Sequence, residues 1–139
     1  MKKLLVLAGT LLISAVAVAD KEFFDPYDGA APFSAAVRVG DTLYLSGMLG
    51  TKDRKLVEGG IGPETVQTLA NIAARLAEHD LTMADVVKCS VFLADIADFS
   101  AMNAEYTKVF QPPRPTRTTV AVSGLALGAN IEIECIAAF

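Results

Sequence analysis

The sequence has 139 residues, a formal net charge of −4, one histidine and two cysteines. This length suits one domain with its own core and excludes two. An acidic chain without a basic stripe disfavours nucleic acid as a partner, and one histidine with two separated thiols disfavours zinc, so we expect neither nucleic acid nor metal.

The first nineteen residues have the layout of a secretory signal peptide. The basic start MKK is followed by apolar residues 4–16 and by the small-residue motif Ala17-Val18-Ala19. The apolar run is shorter than the roughly 20 residues that span a bilayer, which disfavours the alternative of a membrane anchor. We therefore predict a cleaved signal at 1–19 and a periplasmic or secreted domain at 20–139, without membrane attachment after cleavage.

Turn signals and hydrophobic periodicity predict seven main elements. Residues 21–32 and 51–62 are polar or rich in glycine and proline, and are predicted as loops. The predicted elements are a hairpin of 36–39 and 42–47 around Gly40-Asp41, a helix from Pro63, a strand at 86–94, a helix from 98 or 99 to 110, and strands at 118–122 and 130–138. The order β-β-α-β-α-β-β predicts one α+β domain, with both helices on one face of a single sheet.

The spacing of apolar residues predicts which side of each element is buried. The predicted buried sets are Val66, Leu69, Ala70, Ala73, Leu76 and Ala77 in the first helix; Val87, Cys89, Val91 and Leu93 in the middle strand; and Met102, Tyr106, Val109 and Phe110 in the second helix.

The last strand alternates between two faces. Ile131, Ile133 and Cys135 suit the helix-covered face, whereas Glu132 and Glu134 point the other way. That second face also carries apolar residues, and the chain is too short to supply a third layer. We expect another copy of the protein to cover it.

Cys89 and Cys135 both fall in apolar, strand-like runs. Export would permit a disulfide, but sequence spacing cannot establish one. Two buried thiols are the favoured interpretation, and a disulfide is the alternative.

Four segments of the chain resemble the RidA/YjgF family of reactive-intermediate deaminases. They are "TLYLSGMLG", "LVEGGI…QTLANIAARL", "VVKCSVFLADIADFSAMNAEYTKVF" and "PTRTTVAV…LALGANIEIECIA", in the family's order. The resemblance implies a chorismate-mutase-like fold and a homotrimer with clefts between subunits. It also implies cofactor-free hydrolysis of imines and enamines, such as 2-aminoacrylate, to 2-keto acids and ammonia.

The resemblance also implies roles for individual residues. Arg117 matches the arginine that binds the substrate carboxylate, and Glu132 matches the glutamate that orients water. Ser46, Gly47 and Asn103 match residues that line the cleft.

Two further substrate-binding positions depart from the family pattern. Phe33 stands where the family often has tyrosine, and Thr119 where it often has cysteine. These departures remove a hydroxyl and a thiol, so substrate preference could differ.

Other interpretations of these residues are open. Arg117 and Glu132 could form structural ion pairs, and Glu134 is predicted to be structural. The alternative functions are a non-catalytic trimeric protein that binds a carboxylate ligand or acts as a chaperone, and, less favoured for an acidic chain, an endoribonuclease.

Overall fold

The computed structural model describes residues 19–25 and 29–139. Except for Ala19, the predicted signal peptide lies outside the described residues. Within these residues there are nine strands and two α-helices: β1 Lys21–Phe24, β2 Ala36–Val39, β3 Thr42–Leu45, β4 Met48–Leu49, β5 Thr51–Lys52, β6 Lys55–Leu56, α1 Ile61–Ala77, β7 Val86–Leu93, α2 Phe99–Val109, β8 Thr116–Ala121 and β9 Ile131–Ala138.

Seven strands form one sheet in the order β1-β2-β3-β9-β7-β8, and the short β4 also pairs with β9. The β7–β8 pair is parallel, whereas β9 is antiparallel to β3, β4 and β7. Both helices pack on the core, so the predicted α+β class is confirmed. Among the described residues, no helix has the length and apolar character to cross a membrane.

The buried side of α1 differs from the predicted one. Leu69, Ile72 and Leu76 form the buried apolar row of the helix. Val66 is 52% exposed, and Ala70 and Ala77 are exposed as well, so these three predictions are wrong. Thr65 is buried as well, since its hydroxyl donates to the Ile61 carbonyl at 2.7 Å and so needs no water. In α2, Met102, Tyr106 and Phe110 are buried as predicted, but Val109 is exposed.

The prediction that Val87, at the start of β7, is buried is wrong. The register between β7 and β9 shifts between Val86 and Lys88, which is the mark of a β-bulge. The bulge turns Val86 inward and leaves Val87 48% exposed. From Cys89 onward the predicted alternation holds.

Two segments predicted as loops contain strands. Residues 21–24 add β1 to the edge of the sheet beside β2. In the segment predicted as a loop at 51–62, β5 and β6 form a small hairpin of their own. Its two-residue turn consists of Asp53 and Arg54, with φ of 51° and 63°. Glycine usually occupies the second position of such a turn, and its absence hid the hairpin from sequence reasoning.

Cys89 and Cys135 form a disulfide across the centre of the sheet. The favoured prediction of two free thiols is therefore wrong. The two residues are direct partners in the β7–β9 register, with Cα atoms 4.2 Å apart. The bond lies on the helix-covered face and is buried.

The start of β9 is anchored by a buried carboxylate. Glu64, in the first turn of α1, accepts hydrogen bonds from the backbone N–H of Asn130, at 2.8 Å, and from the Asn130 side-chain amide. Glu64 is 3% exposed, so both bonds are shielded from water. This contact fixes where β9 begins relative to the first turn of α1, and it thereby fixes the position of Glu132, two residues after Asn130.

Candidate active site in two halves

Glu132 lies on the face of the sheet that the helices leave open. Its neighbours across the sheet are Leu49 on β4 and Phe92 on β7. The partly apolar surroundings raise the pKa of the Glu132 carboxyl through burial, and the nearby charge of Glu134 raises it further. A carboxyl with a raised pKa holds its proton more tightly than an ordinary glutamate, which suits a group that accepts and returns protons.

Gly47 makes room for this carboxylate. A Cβ atom at position 47 would stand 2.8 Å from Cδ of Glu132 and nearer still to its Oε1. Only glycine leaves space for the carboxylate at this place. The structure therefore brings together two of the residues predicted for the site.

Ser46 fixes the loop that carries Phe33. Its hydroxyl donates to the carbonyl of Ser34 at 2.6 Å, and its backbone N–H donates to the carbonyl of Ala35 at 3.0 Å. Phe33, 54% exposed, is consequently held beside the end of β3. Phe33, Ser46 and Gly47 line one cavity of about 490 Å³.

Arg117 and Asn103 line a different cavity, of about 430 Å³, between α2 and β8. The guanidinium carbon of Arg117 lies 4.5 Å from the ring centre of Tyr106 and 5.6 Å from that of Phe99. These are cation–π distances, and they hold the guanidinium over the aromatic rings. Burial raises the pKa of the Tyr106 hydroxyl, and the charge of Arg117 opposes that shift.

Thr119 lies two residues after Arg117 on β8 and shares its face of the sheet. Its Oγ1 atom is buried and, within residues 19–25 and 29–139, has no hydrogen-bond partner. A buried hydroxyl without a partner is costly, so it is available to a ligand or water. Asn103 and Arg117 thus share one cavity, and Thr119 follows Arg117 on the same side of β8.

Within one chain the two groups are on opposite faces of the sheet. Arg117 is in register with Cys89, whose next partner is the buried Cys135. Glu132 is in register with Phe92, which lies three positions after Cys89 on β7. Because strand residues an odd number of positions apart point to opposite faces, Glu132 lies on the face opposite to Arg117. A single chain therefore does not place the arginine against the glutamate.

Sequence reasoning missed three residues of these surfaces. Arg54 and Arg75 line the cavity beside Gly47, and Tyr106 contacts Arg117. The one available signal was Arg75, which lies within the apolar helix that follows Pro63. A charged residue that is partly buried in such a helix needs a partner.

The cysteine, histidine and carboxylate side chains of the described segments form no cluster of three that could hold a metal ion.

Comparison of the sequence with known proteins establishes the family to which the chain belongs. A family profile described as Endoribonuclease L-PSP matches residues 25–139. The chain belongs to this family. It is the family of the RidA and YjgF proteins, so the resemblance seen in the sequence is confirmed.

Relatives in this family carry deaminase names. The chain is 44% identical over 108 residues to the 2-iminobutanoate/2-iminopropanoate deaminase of Capra hircus, covering 76% of this chain and 79% of the relative. It is 42% identical over 110 residues to Protein HMF1 of Saccharomyces cerevisiae, covering 78% and 85%. The crystal structure of RidA from an Antarctic Psychrobacter species superposes with a TM-score of 0.76 at 35% identity, covering 79% and 90%.

Proposed function

We propose that the protein hydrolyses 2-imino acids and their enamine tautomers to 2-keto acids and ammonia. The observation that carries the proposal is the half-buried Glu132 carboxylate, which is seated on Gly47 and has a raised pKa. Relatives at about 40% identity that are named 2-iminobutanoate/2-iminopropanoate deaminase support the reaction class.

In this proposal the active site is assembled from two chains. One chain supplies Phe33, Ser46, Gly47 and Glu132, and its neighbour supplies the surface of Asn103, Arg117 and Thr119. The open face of the sheet supports such an assembly, because it exposes the large apolar side chains of Tyr44 and Val120. We propose a homotrimer, which size-exclusion chromatography with light scattering would test; a monomer at micromolar concentration would contradict it.

The chemistry follows from the two groups. The guanidinium of Arg117 binds the substrate carboxylate through two parallel hydrogen bonds. Glu132 accepts a proton from a water molecule whose oxygen bonds to the imine carbon. The C=N bond becomes single as the nitrogen takes this proton from Glu132. The hydroxyl proton of the resulting carbinolamine then passes through Glu132 to the nitrogen, and the C–N bond breaks as C=O forms and ammonia leaves. Positioning supplies much of the acceleration, because imines hydrolyse readily.

The test uses an amino-acid oxidase to generate the imine and follows its decay with and without the protein. Glu132→Gln should lower the accelerated rate about 100-fold, because it removes a proton acceptor and little volume. Glu22→Gln is the matched control, since Glu22 is an exposed carboxylate on the edge strand β1, away from Glu132. Equal rates for both variants, or no acceleration by the wild-type protein over several imines, would refute the proposal.

We also propose that the protein is exported. The disulfide between Cys89 and Cys135 supports this, because disulfides persist in oxidising compartments. Mass spectrometry of protein from its native host should find Asp20 at the N-terminus. An intact Met1 would contradict export by a cleaved signal.

A further inference from the structure

The cavity that Phe33, Ser46 and Gly47 line also reaches two arginines, Arg54 and Arg75. Its volume of about 490 Å³ is within the roughly 300–1,000 Å³ that is usual for ligand sites. Ser46 and Gly47 line it on the side of Glu132, and Arg54, Asn71 and Arg75 line it as well. A three- or four-carbon imino acid would leave much of this space empty.

The charged residues that line the cavity are both cationic. Arg54 and Arg75 contribute to its wall, and none of the described lining residues is a carboxylate. This is unusual in a chain with 16 acidic and 12 basic residues. The asymmetry favours an anionic group inside the cavity.

Arg75 has hydrogen-bonding capacity to spare. Its Nη1 donates to Glu78 at 2.6 Å, but the Glu78 side chain is 56% exposed and that ion pair is screened by water. Its Nε is buried and has no partner in the part of the chain that the structure describes. A buried guanidinium donor without a partner is costly, so an anion at this place would stabilise it.

Arg54 occupies a backbone conformation that arginine disfavours. Its φ of 63° is in the left-handed region, where a side chain crowds the following carbonyl. Leu127, which also lines the cavity, has φ of 60°. The two-residue turn between β5 and β6 imposes the left-handed conformation at position 54, and the turn thereby fixes the place from which the arginine side chain reaches the wall of the cavity.

We propose that Arg54 and Arg75 form a second anion subsite, and that the preferred substrates are 2-imino acids with a carboxylate in the side chain. This inference rests on the proposed deaminase function, with Arg117 binding the first carboxylate. The side-chain carboxylate is unchanged by the reaction. It is held by charge-assisted hydrogen bonds that a purely aliphatic imino acid cannot make.

The kinetic test compares two imines of equal chain length. Glutamate and norvaline, each with a suitable oxidase, supply 2-iminoglutarate and 2-iminopentanoate, which differ by the second carboxylate. Wild-type kcat/KM should favour 2-iminoglutarate by at least about 10-fold. Arg75→Gln and Arg54→Gly should each lower that preference about 10–100-fold, and glycine suits the φ of position 54.

Lys55→Gln is the matched control, because Lys55 is an exposed cation of the same hairpin that does not line the cavity. It should keep the full preference. If Lys55→Gln lowers the preference as much as Arg54→Gly does, the effect comes from net charge and the subsite is refuted.

A binding experiment separates this inference from the proposed function. Titration calorimetry with 2-oxoglutarate and 2-oxopentanoate should show tighter binding of the dicarboxylate, and Arg75→Gln should remove the difference. Accelerated decay of both imines without any preference would leave the deaminase function standing and overturn the subsite. Tighter 2-oxoglutarate binding without acceleration of any imine would support the subsite and overturn the deaminase function.

Discussion

Gly47→Ala should remove activity without unfolding the protein. The added methyl group would stand 2.8 Å from Cδ of Glu132, whereas carbon atoms pack at about 3.5–4.0 Å. The carboxyl carbon must therefore retreat by about 0.7 Å or more. A displacement of about 1 Å at a reacting group can cost roughly 100-fold in rate. Gly47 is outside the set of glycines with positive φ, so alanine brings no backbone strain.

The atoms that must move are the end of a flexible side chain, so stability should fall by only about 1 kcal/mol. Gly50→Ala provides the contrast, since its methyl group would stand 2.6 Å from the backbone oxygen of Glu64 in α1, which cannot move alone. That variant should lose about 1–3 kcal/mol. Gly124→Ala, with open space around it, is the neutral control.

Two assays distinguish these effects: imine decay for activity and urea denaturation for stability. Wild-type turnover in Gly47→Ala would refute the assignment of Glu132 as the proton acceptor. A loss of stability in Gly47→Ala as large as that of Gly50→Ala would refute the argument from side-chain flexibility.

Three further predictions concern charge and covalent structure. Burial raises the pKa of Glu132 above 4.5, so the stability that this group contributes is present at low pH and is lost as the pH rises through the raised pKa. The gain in unfolding free energy of Glu132→Gln over the wild-type protein, measured by urea titration, should therefore grow between about pH 4 and pH 8. A difference that does not depend on pH would contradict this prediction. Arg117→Ala should cost roughly 3–5 kcal/mol of transition-state binding and Arg117→Lys should recover little of it, with an unchanged assembly in light scattering; wild-type kcat/KM in either variant would end the assignment. Replacing Cys89 and Cys135 by alanine should lower the free energy of unfolding by about 4 kcal/mol, from the 46-residue separation, and an unchanged urea midpoint would argue against a stabilising disulfide.

The sequence predicts the faces of the strands well, because strand geometry leaves little choice. Alternation placed Ile131 and Ile133 inward and Glu132 outward, as the structure has them. The same reasoning failed at Val87, where a bulge adds one residue to β7 and reverses the phase before it. A bulge leaves no mark in an apolar run, so periodicity alone cannot detect it.

The placement of Arg117 and Glu132 on opposite faces of the sheet was beyond sequence reasoning. Whether Arg117 shares a face with Glu132 depends on the register of β8 on β7 and of β7 on β9, which is set by packing. The contribution of Arg54 was hidden for another reason. A positive φ at arginine is a property of the folded hairpin, and the residue type predicts its opposite.

The central place of β9 in the sheet has a consequence for how the protein is made. β2 and β3 lie on one side of β9, and β7 and β8 lie on the other. The two halves cannot be joined until residues 131–138 have left the ribosome, although every other strand emerges earlier. A nascent chain would therefore keep the inner edges of β3 and β7 exposed until β9, the last of the described strands, has been added between them.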